Sequence, residues 1–253
     1  MSGWRGGTVP HAYAAGYAMQ LVVFTNDAPT QVATKYGPAC GRPYPLSSRF
    51  LSDMTTLAQT FAGQASGPPL YVSMFAEFQT YPCVRGGWSA DPTTTAYYEA
   101  LMDQYQAAEA IFHRYAPNAK VALCWGGWQA RSDEPGKGGG RSMFPHLAAV
   151  LKTSDFESFQ AMQSDTNVND IRDMTRILGQ YGPVLLAYYK PDNRSQATFD
   201  ADIHTVFTPD YLRGVVADGL FGFAFMDNAN LTAEPATAAF LNHTATEFGR
   251  TAR

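Results

Sequence analysis

LYVSMFAEF, residues 70–78, carries the clearest strand signal in the chain. It is apolar almost throughout, as in a strand covered on both faces, and its Tyr, Val and Phe residues favour extended backbone. A long helical pattern follows at residues 93–115 (TTTAYYEALMDQYQAAEAIFHRY) and is stopped by Pro117. KVALCW, residues 120–125, is then a second apolar strand. Strand, helix and strand in that order imply parallel pairing through a helical crossover.

The same unit recurs on either side. MQLVVFT (residues 19–25) precedes a helix at 47–62 in which Phe50, Leu51, Met54, Leu57, Ala58 and Phe61 fall at helical spacing. Further on, a helix near 144–151 leads to a weaker strand, FESFQAM (156–162), and a helix at 168–181 that stops at Gly182-Pro183. VLLAYY (184–189) and LFGFAFM (220–226) complete the strands, with helices at 209–217 and 234–249. These six strand–helix units make an α/β chain, read as a TIM-type (β/α) barrel forming a single domain over residues 1–253. A closed barrel needs about eight such units, so the barrel is expected to be incomplete or irregular at its N-terminal side, with an open doubly wound sheet as the alternative. Residues 4–17, rich in Gly, Pro and aromatic side chains, have room for a short strand and a turn.

Composition narrows the function. Hydrophobic residues make up 45% and charged residues 16% of the 253, enough for a substantial core. A net charge of −4 with no Lys/Arg block excludes a phosphate-backbone partner, so no nucleic acid is expected. No apolar run approaches the roughly 20 residues that span a bilayer, so no membrane is expected either. The N-terminal residues carry neither a basic region nor an apolar one of the signal-peptide kind; an extracellular location is nonetheless the expectation. Cys40, Cys83 and Cys124 lack metal-ligand spacing, so neither metal nor other cofactor is called for. Cys40 and Cys83 fall in loops on the same side of the strands, where a disulfide between them is possible, whereas Cys124 lies inside a strand.

In α/β sheets of this kind ligands bind beyond the carboxyl ends of the strands. Those ends supply Asn26 and Asp27; Glu77 to Tyr81; Trp125 to Gln129; Gln163 to Asp165; Tyr188 to Asn193; and Asp227 with Asn228. Carboxylates, amides and aromatic rings together suit a sugar, whose apolar faces stack on rings and whose hydroxyl groups bond to acids and amides. Glu77, flanked by apolar residues at a strand end, is the candidate general acid, because desolvation raises a carboxyl pKa. Asp227 and Asp192 are the candidate second carboxylates, ahead of Asp165 and Asp27. Asn26, Asp27, Trp125, Trp128, Gln163, Tyr189 and Lys190 are the candidate substrate-binding residues. Gly126-Gly127 leaves an open floor beside the two Trp rings, and residues 131–141 are expected to form a rim. Lys190 as a Schiff-base lysine is a remaining possibility. No Ser-His-Asp order or G-x-S-x-G turn is present.

With Phe75-Ala76-Glu77 at a strand end and strand–helix units throughout, the chain resembles the (β/α)8-barrel glycoside hydrolases of the retaining clan, though no specific family within it. The resemblance implies that Glu77 is the acid/base glutamate of the fourth barrel strand, and that a nucleophilic Glu should end the strand at 184–189. The chain has Tyr189-Lys190-Pro191-Asp192 there instead. The expected activity is cleavage of a polysaccharide or oligosaccharide by carboxylate acid/base chemistry; the alternative is a non-catalytic carbohydrate-binding domain on a barrel scaffold.

Overall fold

The computed structural model describes residues 3–133 and 142–249. Six parallel strands form one sheet: β1 (Met19–Val22), β4 (Leu70–Met74), β5 (Ala119–Gly126), β6 (Glu157–Ala161), β7 (Val184–Tyr189) and β8 (Leu220–Phe225), paired in that order. Sheet order follows chain order without reversal. With right-handed crossovers, that puts every crossover helix on the same face, whereas a doubly wound sheet would reverse direction midway. The sheet is therefore a six-stranded half-barrel with free edges at β1 and β8.

The helices cover the convex face. They are α1 (Val9–Ala14), α2 (Ser48–Phe61), α3 (Pro92–Tyr115), α4 (Gln129–Asp133), α5 (Phe144–Leu151), α6 (Asn167–Leu178), α7 (Gln196–Val206), α8 (Pro209–Ala217), α9 (Ala229–Ala233) and α10 (Pro235–Phe248). Their starts are written in the sequence. Ser47 Oγ accepts from Phe50 N to cap α2, and Asp91 Oδ1 accepts from Thr94 N to cap α3 just ahead of Pro92. Leu70, Val72 and Met74 of β4, Val121 and Leu123 of β5, and Leu186 of β7 pack with Tyr105, Phe112 and Met174 in the main core.

The concave face carries smaller side chains, among them Ser73, Ala122, Cys124 and Ser158. It is strongly curled. Gln20 Nε2 on β1 donates to Ala187 O on β7 at 2.7 Å, and the rings of Tyr71 on β4 and Phe221 on β8 lie 5.3 Å apart, so β4 and β8 face each other across it.

Three features depart from the sequence reading. Residues 4–14 are helical, a short turn at Trp4–Thr8 running into α1, where the sequence left room for a short strand and a turn. An antiparallel hairpin, β2 (Thr30–Thr34) with β3 (Gly37–Gly41), stands between β1 and α2. The strand expected at 70–78 stops at Met74, because Phe75 and Glu77 both take the left-handed backbone conformation, each with φ of 58°. Cys40 and Cys83 form a disulfide that ties the hairpin to the loop after β4. No helix among the described residues is long and apolar enough to cross a membrane.

Candidate active site

The kink after β4 builds the centre of the mouth. A non-glycine residue in the left-handed region costs about 1 kcal/mol or more and persists where its surroundings hold it. Here Ala76 N donates to Val23 O at 2.9 Å and Glu77 N to Cys124 O at 3.0 Å, so the turn is pinned between β1 and β5. The Phe75 ring packs 5.1 Å from Phe50, and Phe78 packs 4.8 Å from Trp125. Both aromatic anchors face the core, and Glu77 is left facing the concave side.

Glu77 lines a cavity of about 470 Å³ together with Gln20, Phe24, Tyr188, Phe225 and Met226. Gln160 Nε2 donates to Glu77 Oε1 at 2.9 Å. Burial pushes the Glu77 carboxyl up from the ordinary range, opposed by the positive charges of Arg42 and Arg85. The result is a carboxyl whose pKa burial raises, in a largely apolar cavity, with one amide fixing its orientation.

Asp227 has the opposite environment. It follows Met226 at the end of β8, where Lys190 Nζ lies 2.6 Å from Oδ2 and Ala229 N donates to Oδ1 at 3.0 Å. The lysine contact, then the amide, holds the Asp227 carboxyl below its ordinary range. Lys190 is thus engaged in an ion pair with Asp227. Among the described residues Glu77 is the sole carboxylate lining the cavity itself.

The other expected residues are distributed differently. Trp125 is fully buried and faces the helices, with Phe144 4.5 Å away, so it is a core residue and not a stacking platform. Tyr189 likewise faces outward and donates to Asp202 Oδ2 at 2.7 Å; Tyr188 is the tyrosine that enters the cavity. The two rings leave opposite faces of β7, and the β6–β7 and β7–β8 registers both slip near Ala187, placing Ala187 and Tyr188 together on the concave side. Gly126 is no open floor, since the Trp128 ring lies directly over it, where a Cβ would stand. Trp128 itself is half-buried. Gln79 clamps the same strand end, its Oε1 accepting from Gly126 N at 3.0 Å.

Asp27 is engaged by the Thr25 hydroxyl and by Tyr44 N at 2.8 Å, as a turn-fixing carboxylate. Asn26, beside it, is not among the residues lining the cavity, nor is Gln163, whose backbone N donates to Asn167 Oδ1 at 2.7 Å. Asp192 is exposed and accepts from the Ser164 hydroxyl, away from the cavity lining. The rim expected at 131–141 begins as helix α4, with Arg131 Nε 2.8 Å from Asp170 Oδ1; residues 134–141 lie outside the described residues.

Phe24, Arg42, Arg85 and Tyr188 were not singled out from the sequence as site residues. Phe24 lay inside the expected first strand, and the arginines sit on two segments joined by the Cys40–Cys83 bridge and by backbone hydrogen bonds beside it.

No protein-family model and no curated protein matches the chain. Among solved structures, the glycoside hydrolase domain of PgaB (BpsB) from Bordetella bronchiseptica is similar over 90% of this chain and 75% of that one, at 12% identity and a TM-score of 0.48. The exo-beta-1,4-mannosidase Op5Man5 from Opitutaceae bacterium strain TAV5 is similar over 93% of this chain and 54% of that one, at 10% identity and a TM-score of 0.42. The agarase AgWH50C is similar over 89% of this chain and 43% of that one, at 10% identity and a TM-score of 0.40. This chain thus spans about half the length of the latter two. All three TM-scores fall under 0.5.

Proposed function

We propose that the protein hydrolyses a glycosidic bond in a polysaccharide or oligosaccharide, with Glu77 as the general acid and Asp227 as the ionised second carboxylate. The observation that carries this reading is the Glu77 carboxyl, raised by burial in a cavity between aromatic rings at the carboxyl end of a half-barrel. Environments that push two carboxyl groups in opposite directions suit an acid and a base, as Glu77 and Asp227 are pushed. In the reaction Glu77 gives its proton to the leaving glycosidic oxygen. Asp227 then either takes a proton from the attacking water or itself attacks the anomeric carbon, depending on its distance from Glu77 across the mouth. Tyr188 and Phe225 offer ring surface, and Gln160 fixes the donor.

A second reading, a non-catalytic carbohydrate-binding domain, is favoured by one observation: Asp227 is held by Lys190, and Glu77 stands without a second carboxylate in the described cavity lining. Mass spectrometry of products from a polysaccharide panel separates the two. Hydrolysis predicts fragments that Glu77→Gln makes about 10² to 10⁴ times more slowly. Oligosaccharide binding with no fragments formed supports the binding domain and overturns the hydrolase.

A further inference from the structure

We infer that the mouth recognises a sugar bearing a carboxylate, through Arg42 and Arg85, so that the ligand is an acidic polysaccharide. This deepens the reading of the Glu77 cavity as a carbohydrate site and rests on it.

Arg42 is fixed in place by the backbone. Its N donates to Tyr81 O at 3.1 Å and its O accepts from Tyr97 Oη at 2.8 Å. The guanidinium stacks 4.6 Å from the Tyr81 ring centroid and 5.2 Å from that of Phe24, which lines the cavity. Partly buried arginines are ordinarily paired with a carboxylate. This one has no carboxylate within ion-pair distance among the described residues, and its Nε and Nη1 are buried without an acceptor. Arg85 likewise has no ion-pair partner among the described residues, and both charges act on Glu77.

The two arginines share one rim by construction. Cys40 and Cys83 each stand two residues ahead of an arginine, and their disulfide, with Cys83 N donating to Cys40 O at 3.0 Å, locks the two segments together beside the cavity. Two unpaired guanidinium groups in a chain of net charge −4 are a local positive site and not a by-product of a basic surface. A guanidinium fork matches a carboxylate in two parallel hydrogen bonds. A ligand carboxylate entering beside Phe24 supplies the acceptor that the protein withholds.

The test is binding in the Glu77→Gln background, which removes turnover. The probes are oligosaccharides of polygalacturonate, alginate and hyaluronate, the same three with their carboxyl groups reduced to alcohols, and a sulfated galactan, measured by calorimetry. At least one acidic oligosaccharide is expected to bind about tenfold or more tighter than its reduced counterpart, the scale of one charged hydrogen-bonded contact. Adding Arg42→Gln or the surface variant Arg85→Gln should cut that preference, and Arg42→Lys should restore it only in part, with circular dichroism and melting confirming each fold. Equal binding of acidic and reduced forms, equal binding of the sulfated galactan, or no acidic probe bound at all would overturn the inference. Failure of the hydrolase reading is separately visible. Acid-selective binding with no products from the unaltered protein sinks the hydrolase alone, and products from a neutral polysaccharide sink the acidic ligand alone.

Discussion

Glu157, at the start of β6 and far from the mouth, should make the protein less stable as the pH rises. Its side chain is fully buried and neither carboxyl oxygen has a hydrogen-bond partner among the described residues. Burial pushes its pKa from 4.5 up to about 9. The folded state therefore holds a proton that the unfolded chain releases, so the stabilising contribution is full below pH 4.5 and is lost as the pH climbs toward 9. Each pH unit in that window costs about 1.4 kcal/mol, so stability should drop by roughly 3 kcal/mol between pH 5 and pH 7. Glu157→Gln keeps the shape of the neutral acid and cannot ionise. Urea unfolding at pH 5, 6 and 7.5 should find the variant close to the parent at pH 5 and more stable by about 3 kcal/mol near neutrality. Parallel stability curves for the two proteins would refute the reasoning, because they would mean that Glu157 has the same pKa folded and unfolded.

Three further perturbations probe the mouth and its frame. Reducing the Cys40–Cys83 bridge, which closes a separation of 43 residues, should lower stability by about 4 kcal/mol on chain entropy, seen as a fall in melting temperature with dithiothreitol. Gly126→Ala puts a methyl group into the Trp128 ring, so calorimetric melting should show a loss of about 1–3 kcal/mol, and the tryptophan fluorescence should shift as the ring is displaced. Tyr188→Phe and Tyr189→Phe should separate by effect: the first alters oligosaccharide binding and leaves melting unchanged, while the second leaves Asp202 with Asn167 as its remaining side-chain donor and costs about 1 kcal/mol of stability without touching binding.

The framework was legible because β4, β5, β7 and β8 are near-continuous apolar runs separated by helical periodicity, with the more polar β6 between them, and the capping residues Ser47 and Asp91 mark helix starts. What escaped was local. The hairpin TQVAT and GPACG carries polar, Gly and Pro residues and little apolar alternation. Helix α7 was missed although Phe199, Ile203 and Val206 fall at helical spacing, since Asp and Thr dilute the pattern. Glu77 could be read as a strand-end carboxyl, but its aim depends on two left-handed residues that no composition announces, Phe75 among them. Which of Tyr188 and Tyr189 enters the cavity was not legible, because the register slip beside them is invisible in the sequence. The arginines have no signal of their own; their place follows from the pairing of two segments, 43 residues apart, by a disulfide and backbone hydrogen bonds.

If Glu77 delivers a proton to a leaving sugar oxygen, the loss in Glu77→Gln depends on the leaving group. Once a cleaved sugar is known, kcat/KM is measured for the parent and the variant on its oligosaccharide and on its nitrophenyl glycoside. An oligosaccharide alkoxide needs protonation as it departs, whereas nitrophenolate departs without it. The account predicts a loss of about 10² or more on the oligosaccharide and a far smaller one on the nitrophenyl glycoside. Equal losses on both substrates would contradict it and reduce Glu77 to a binding or structural residue.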